Sequence, residues 1–172
     1  MLEIGLLFIA SILLVAYSNS YAQKIRYINS QTILDKFPEA QEAQKQLDEI
    51  RSGYEAEYTQ KVAEFEKLAK EIESQSLLLS PEKKSEKERE LQNRRAEIEQ
   101  YQIEKLGPQG EFYQKNQELT KPLYDKIDQV IQRISEEEGY DYLFDVVQGA
   151  IIFAKPEYDI TNRVLEELNK GS

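Results

Sequence analysis

Cysteine, histidine and tryptophan are absent from this chain, and methionine occurs once. Without Cys or His there is no thiol or imidazole nucleophile, no His general base and none of the usual zinc or copper ligand sets. The lack of cysteine assigns no redox compartment, because disulfide-free proteins occur on both sides of a membrane. Glycine and proline are also scarce, seven and five in 172 residues, so turn chemistry is confined to a few places and a helix-rich chain is expected. Positive charge is in deficit: 22 Lys and Arg against 32 Asp and Glu leave a net charge of -10. Affinity for nucleic acid rests on Lys and Arg displacing counterions from phosphates, so no nucleic-acid partner is expected.

What the chain does contain is organised around residues 39–119, where the main turn signal is Ser80-Pro81. Apolar or small residues recur at Ala43, Leu47, Ile50, Tyr54, Tyr58, Val62, Phe65, Leu68, Ile72 and Leu79, chiefly in steps of three and four. That is a coiled-coil seam, with a slip of the heptad phase between Tyr54 and Val62. Ser80 suits an N-cap, Pro81 the first helical position and Glu82 the positive end of a new helix dipole. A thinner seam then runs through Leu91, Ile98, Tyr101, Leu106, Phe112 and Leu119. The two helices read as a long antiparallel hairpin arm, roughly 60 Å at about 1.5 Å per residue. Gly107-Pro108-Gln109-Gly110 interrupts the second helix, so a kink and hinge are expected at 107–110, on Gly107, Pro108 and Gly110.

The tip of the arm falls near 77–82. Leu77, Leu78 and Leu79 are consecutive and cannot all enter the seam. Either Leu79 closes the seam while the others wrap the tip, or the three offer a hydrophobic contact to a client or to membrane.

The flanks, residues 23–38 and 120–172, read as a small β-rich body. Residues 24–28 form a short strand with Ile25 and Tyr27 on one face. Asn29 or Ser30 caps a short helix that turns Ile33, Leu34 and Phe37 to a common apolar side. Pro122 is expected to begin a helix over 123–138, ended by Gly139. A period-two pattern follows in Tyr140, Tyr142, Phe144 and Val146, a strand with one aromatic face. Gln148-Gly149 supplies a turn, residues 150–154 return as a second strand of a hairpin, and Asp159 caps a last helix over 160–169. The fold class is therefore α+β and mostly helical. A body this small is marginal alone, and oligomerisation would complete it.

Residues 2–17 are an apolar run shorter than the roughly 17–25 residues of a spanning helix, and Ser20-Tyr21-Ala22 has the small-x-small form of a cleavage site. Residues 1–22 thus read as a secretory signal peptide cut after Ala22. Its n-region carries Glu3 and no Lys or Arg, which leaves an uncleaved anchor as the alternative. The remainder is exported in either case.

The carboxylates are the only candidates for catalysis. Glu136, Glu137 and Glu138 are consecutive on a helix and point in different directions, so they read as a solvated helix end. No nucleophile, calcium loop or nucleotide-binding loop is present, and no enzyme activity, metal or cofactor is expected.

Residues 24–30, Ile33-Leu34 and Phe37-Pro38-Glu39-Ala40 resemble the Skp (OmpH-like) family of periplasmic chaperones. The more specific likeness is in Tyr140-Asp141-Tyr142-Leu143-Phe144-Asp145, in residues 154–161, and in Val164-Leu165 and Leu168-Asn169. The resemblance implies a homotrimer whose short strands build a trimerisation body, here drawing on Ile25, Tyr27, Tyr142, Phe144, Ile151 and Phe153. Three helical arms would enclose a cavity that holds unfolded outer-membrane proteins in the periplasm of a Gram-negative bacterium without ATP. Family arms are often basic, whereas residues 39–118 carry 13 Lys and Arg against 19 Asp and Glu. The rival reading is a structural or adaptor coiled-coil protein of the cell envelope.

Overall fold

The computed structural model describes residues 23–76, 78–149 and 151–171, so the expected signal peptide lies outside the described residues. The elements run β1 (Ile25–Ile28), α1 (Ser30–Lys36), α2 (Pro38–Gln75), α3 (Pro81–Tyr101), a π-helical turn (Gln102–Leu106) and α4 (Glu111–Glu138). β2 (Tyr142–Asp145), two 3₁₀ turns (Val146–Gln148 and Pro156–Tyr158) and α5 (Thr161–Lys170) complete the chain.

Local chemistry accounts for where the helices start. The Asn29 side chain accepts from the Thr32 amide at 2.9 Å and caps α1. Pro38 and Pro81 stand in the first turns of α2 and α3, where a missing N–H is harmless, and Ser80 Oγ accepts from the Lys83 amide. At the end of α4, Gly139 takes the left-handed conformation at φ 65°, which a Cβ would disfavour.

α2 is lined on one side by α3 and then α4, running in the opposite direction. Lys126 of α4 donates to Glu39 near the start of α2 at 2.6 Å, Arg51 lies over the Phe112 ring at 4.5 Å, and Lys61 lies over the Tyr101 ring at 5.3 Å. The seam residues fall on this shared side: Ala43 and Leu47 are buried, and Ile50, Tyr54, Tyr58, Val62, Phe65, Leu68 and Ile72 are half-buried.

The core lies where α1, α4 and α5 meet the start of α2. Ile33, Phe37, Ile134, Val164 and Leu168 are its fully buried side chains. Each is worth about 1.5–3 kcal/mol of apolar burial, which anchors the base from which the long helices leave. Asp159 does not cap α5 as expected: the N-cap position falls on Ile160, whose side chain makes no cap bond. Asp159, one residue before it, accepts from the Thr161 amide at 2.8 Å and so braces the turn that leads into the helix.

Two further expectations are corrected. Pro122 does not begin a helix: α4 starts eleven residues earlier, at Glu111, and passes straight through it. The apolar residues Leu123, Ile127, Val130 and Ile134 pack on the core, and their burial outweighs the hydrogen bond that proline removes.

The second correction concerns the C-terminal strands. β2 does not form a hairpin with residues 150–154. It pairs in parallel with β1, in the register Ile25 to Tyr142, Arg26 to Leu143, Tyr27 to Phe144 and Ile28 to Asp145. The chain leaves β2 at once, because Asp145 accepts from the Val147 amide at 3.1 Å and Val146–Gln148 winds into a 3₁₀ turn. Ala150 lies outside the described residues, and 151–155 carry no strand. On its other side β1 bridges to Asp159 through Tyr27, and the Ile160 amide donates to the Tyr27 carbonyl at 2.9 Å.

Candidate functional site

The parallel register decides what the small sheet shows to solvent. Ile25 and Tyr27 of β1 stand beside Tyr142 and Phe144 of β2 on one face, while Ile28 and Leu143 turn to the core. The Tyr142 and Phe144 rings stack with centroids 6.3 Å apart. Tyr142 is 51% exposed, Phe144 39% and Ile25 42%, so this aromatic face is open in the single chain.

Phe144, Ile25 and Tyr27 line a groove of 620 Å³ together with Ile151, Phe153 and Tyr158. Five of the six body residues named from the sequence thus meet in one groove, and the sixth, Tyr142, stacks on Phe144. Phe153 is 84% exposed at its mouth. Arg26 lies over the rings of Tyr140 and Tyr158, at 5.2 and 5.4 Å, and sets the polar margin of the patch.

At the far end of α2, Leu77 lies outside the described residues. Leu78 is 86% exposed, whereas Leu79 is half-buried and continues the seam.

The interruption at 107–110 is closely packed. A Cβ on Gly107 would overlap the Ile103 carbonyl oxygen, and one on Gly110 would come within 2.7 Å of the Glu104 oxygen. These glycines serve close approach of backbone to backbone, since neither has a positive φ.

Around them lies a polar cluster that the sequence reading did not find. The Tyr54 hydroxyl donates to Glu111 Oε2 at 2.9 Å, Lys105 Nζ donates to Glu111 Oε1 at 2.5 Å, and the Tyr101 hydroxyl donates to Glu57 Oε2 at 2.8 Å. Burial and the bond to Glu57 push the Tyr101 hydroxyl up to about 12. The Lys105 ammonium and the Tyr54 hydroxyl hold the Glu111 carboxyl below its ordinary value. Tyrosines on a seam beside nearby carboxylates were the available signal, because a half-buried hydroxyl needs a partner.

Two carboxylates of the acidic run at 136–138 stand beside cations. Glu137 pairs with Arg133 at 3.8 Å and Glu138 with Lys24 at 4.0 Å, so the acidic run closes ion pairs at a helix end. Among the described residues no cluster of three or more metal-ligating side chains forms, and no helix is long and apolar enough to cross a membrane.

A long antiparallel helical pair rooted in a small mixed base, with an open apolar face on that base, defines a mostly helical protein with one small two-stranded sheet. The chain belongs to the outer membrane protein (OmpH-like) family, whose model matches residues 24–168. This is a family of chaperones, not of enzymes. The chain is 22% identical over 170 residues to the chaperone protein Skp of Vibrio cholerae, covering 96% of this chain and 95% of that one. It is 34% identical over 55 residues to a Skp-like protein of Pseudomonas aeruginosa, covering 32% of each. Its fold resembles a crystal structure of a candidate outer membrane chaperone (OmpH-like) from Caulobacter crescentus, with a TM-score of 0.74 at 16% identity over 90% of this chain and 88% of that one.

Proposed function

We propose that this chain is a holdase of the periplasm of a Gram-negative bacterium that keeps unfolded outer-membrane proteins from aggregating without ATP. The observation that carries the reading is the open face of Ile25, Tyr142, Phe144 and Phe153, joined to a helical pair that has no large body of its own. An apolar patch of this kind marks an interaction surface, and a second and third copy of the chain are the occupants we assign to it. In that homotrimer the sheet faces form the trimerisation body, and the helical pairs project as arms around a shared space.

Holding a client by many weak contacts in a confined space needs no nucleotide, and the chain carries no Gly-x-x-x-x-Gly-Lys-Ser/Thr loop. Leu78 at the tip is an exposed contact for clients or, transiently, for membrane. The signal reading of residues 1–22, with cleavage after Ala22, supports export.

The test has two parts. Residues 23–172 should run as a trimer in light scattering on a sizing column, with a large radius for their mass. They should also suppress aggregation of a urea-diluted outer-membrane β-barrel without ATP. A monomer or dimer that binds one folded envelope protein tightly and leaves client aggregation unchanged would overturn the holdase reading in favour of an envelope adaptor.

A further inference from the structure

The interruption at 107–110 stands level with another irregularity in the partner helix. α2 contains Ser52-Gly53, and a Cβ on Gly53 would meet nothing within 4 Å. No steric demand explains that glycine, although glycine weakens a helix interior relative to alanine and Gly/Ser pairs are recurrent sites of bending. On the returning leg, at the same height, the backbone widens into the π turn Gln102–Leu106 and breaks at Gly107, Pro108 and Gly110. Both legs of the helical pair are therefore weakest at one level.

At that level the legs are also tied side chain to side chain. Tyr54, one residue from Gly53, donates to Glu111 at the first position of α4, and Lys105 of the π turn donates to the same carboxylate. Tyr101, the last residue of α3, donates to Glu57 one turn along α2 from Gly53. Arg51 covers the Phe112 ring from the other side of Gly53. Each of the three segments that meet at the break is held to α2 near the weak point: α3 by Tyr101 on Glu57, the π turn by Lys105 over the Tyr54 ring at 5.4 Å, and α4 by Glu111 and Phe112 on Tyr54 and Arg51.

We propose that residues 51–57 and 101–112 form a latched joint: Gly53 and the 107–110 break let both legs bend together, and the bonds of Tyr54 and Tyr101 to Glu111 and Glu57 hold them at one angle until they open. The Tyr54 bond ends on the half-exposed Glu111 carboxylate, where water can replace it. Tyr101 is buried, and opening its bond to Glu57 carries the cost of an unpaired hydroxyl, which makes it the firmer half of the latch. The joint is a property of the chain itself. Its use, to let the arms fit clients of different size, rests on the holdase reading.

The absence of cysteine makes the test direct. Spin labels are placed by Asn93→Cys and Gln132→Cys, both exposed and on opposite sides of the break, with labelled chains diluted into unlabelled ones. Electron–electron resonance distances are then recorded for the parent, for Tyr54→Phe with Tyr101→Phe, and for that double variant carrying Gly53→Ala.

The expected result is a single narrow distribution in the parent, a broadened one with a shifted mean in the unlatched variant, and narrowing again when Gly53→Ala stiffens α2. Helix content by circular dichroism should be the same in all three. An unlatched variant as narrow as the parent, or one that Gly53→Ala leaves as broad, would overturn the joint. Because no client is present, either result is independent of whether the chain is a holdase.

Discussion

Ser30 and Asp145, 115 residues apart in the chain, are joined twice: the Ser30 hydroxyl donates to Asp145 Oδ2 at 2.5 Å and the Ser30 amide to Oδ1 at 3.2 Å. Partial burial disfavours the charged carboxylate, but the bonds from Ser30 and the Val147 amide outweigh it and hold the group below its ordinary value. A lowered folded-state pKa contributes stability that is present above the unfolded value, near about 4, and lost as pH falls through the folded one. Asp145→Ala should cost about 1–3 kcal/mol at neutral pH, with the deficit shrinking in acid. Urea unfolding at neutral and acidic pH checks both.

Glu167 of α5 gathers three cations, one of them Arg133 of α4. It accepts from Arg133 at 3.1 Å, Arg163 at 2.8 Å and Lys170 at 2.7 Å, and the bonds from Lys170 and Arg133 pull its carboxyl down to about 2. Its contribution is whole above its unfolded value of 4.5 and disappears as pH falls toward 2. Glu167→Gln should therefore melt below the parent at pH 7 and converge with it in acid, as read by thermal melts across that range.

Gly107 and Gly53 should respond oppositely to alanine. At Gly107 the new Cβ would overlap the Ile103 carbonyl, so Gly107→Ala should destabilise by about 1–3 kcal/mol. At Gly53 the space is open, and Gly53→Ala should stabilise by about 0.5–1 kcal/mol. Chemical denaturation of the two single variants decides it, and a loss at Gly53 would contradict the open surroundings.

Tyr142→Ser with Phe144→Ser removes the stacked pair on the open sheet face. Both rings are exposed in the single chain, so secondary structure should persist by circular dichroism while the mass by light scattering falls below that of the parent. An undiminished mass would take this face out of the interface.

Leu78→Ser should leave the melting temperature unchanged, because the side chain is 86% exposed and surface substitutions usually stay within about 0.5 kcal/mol. Suppression of client aggregation should weaken. Equal suppression by parent and variant would remove the tip from client contact.

Local signals in the sequence were read where a few neighbouring residues decide the outcome. Ser80-Pro81 marks the start of α3, Asn29 the cap of α1, and the steps from Ala43 to Ile72 the side of α2 that faces its partners. What escaped depends on distant segments. Period two at Tyr142 and Phe144 identifies a strand but not its partner, and β1 lies across the whole helical excursion. Pro122 looked like a boundary because backbone chemistry alone disfavours it mid-helix, whereas its fate was settled by the core beneath Ile127 and Ile134. The bonds of Tyr54 and Tyr101 join residues 57 and 44 positions apart, beyond the reach of any local pattern.

The parallel pairing of β1 with β2 also favours one order of assembly over others. The Lys24 amide and its acceptor Asp141 are separated by 117 residues, so closing that contact in a disordered chain would carry a large entropic cost. Once α2 has packed along α3 and α4, the two strands are already delivered to one end of the helical pair, and the remaining search is short. The sheet is then the last part to close, and a chain stalled before residue 142 would display a complete helical pair with an unmatched first strand, open to strand addition by a neighbour.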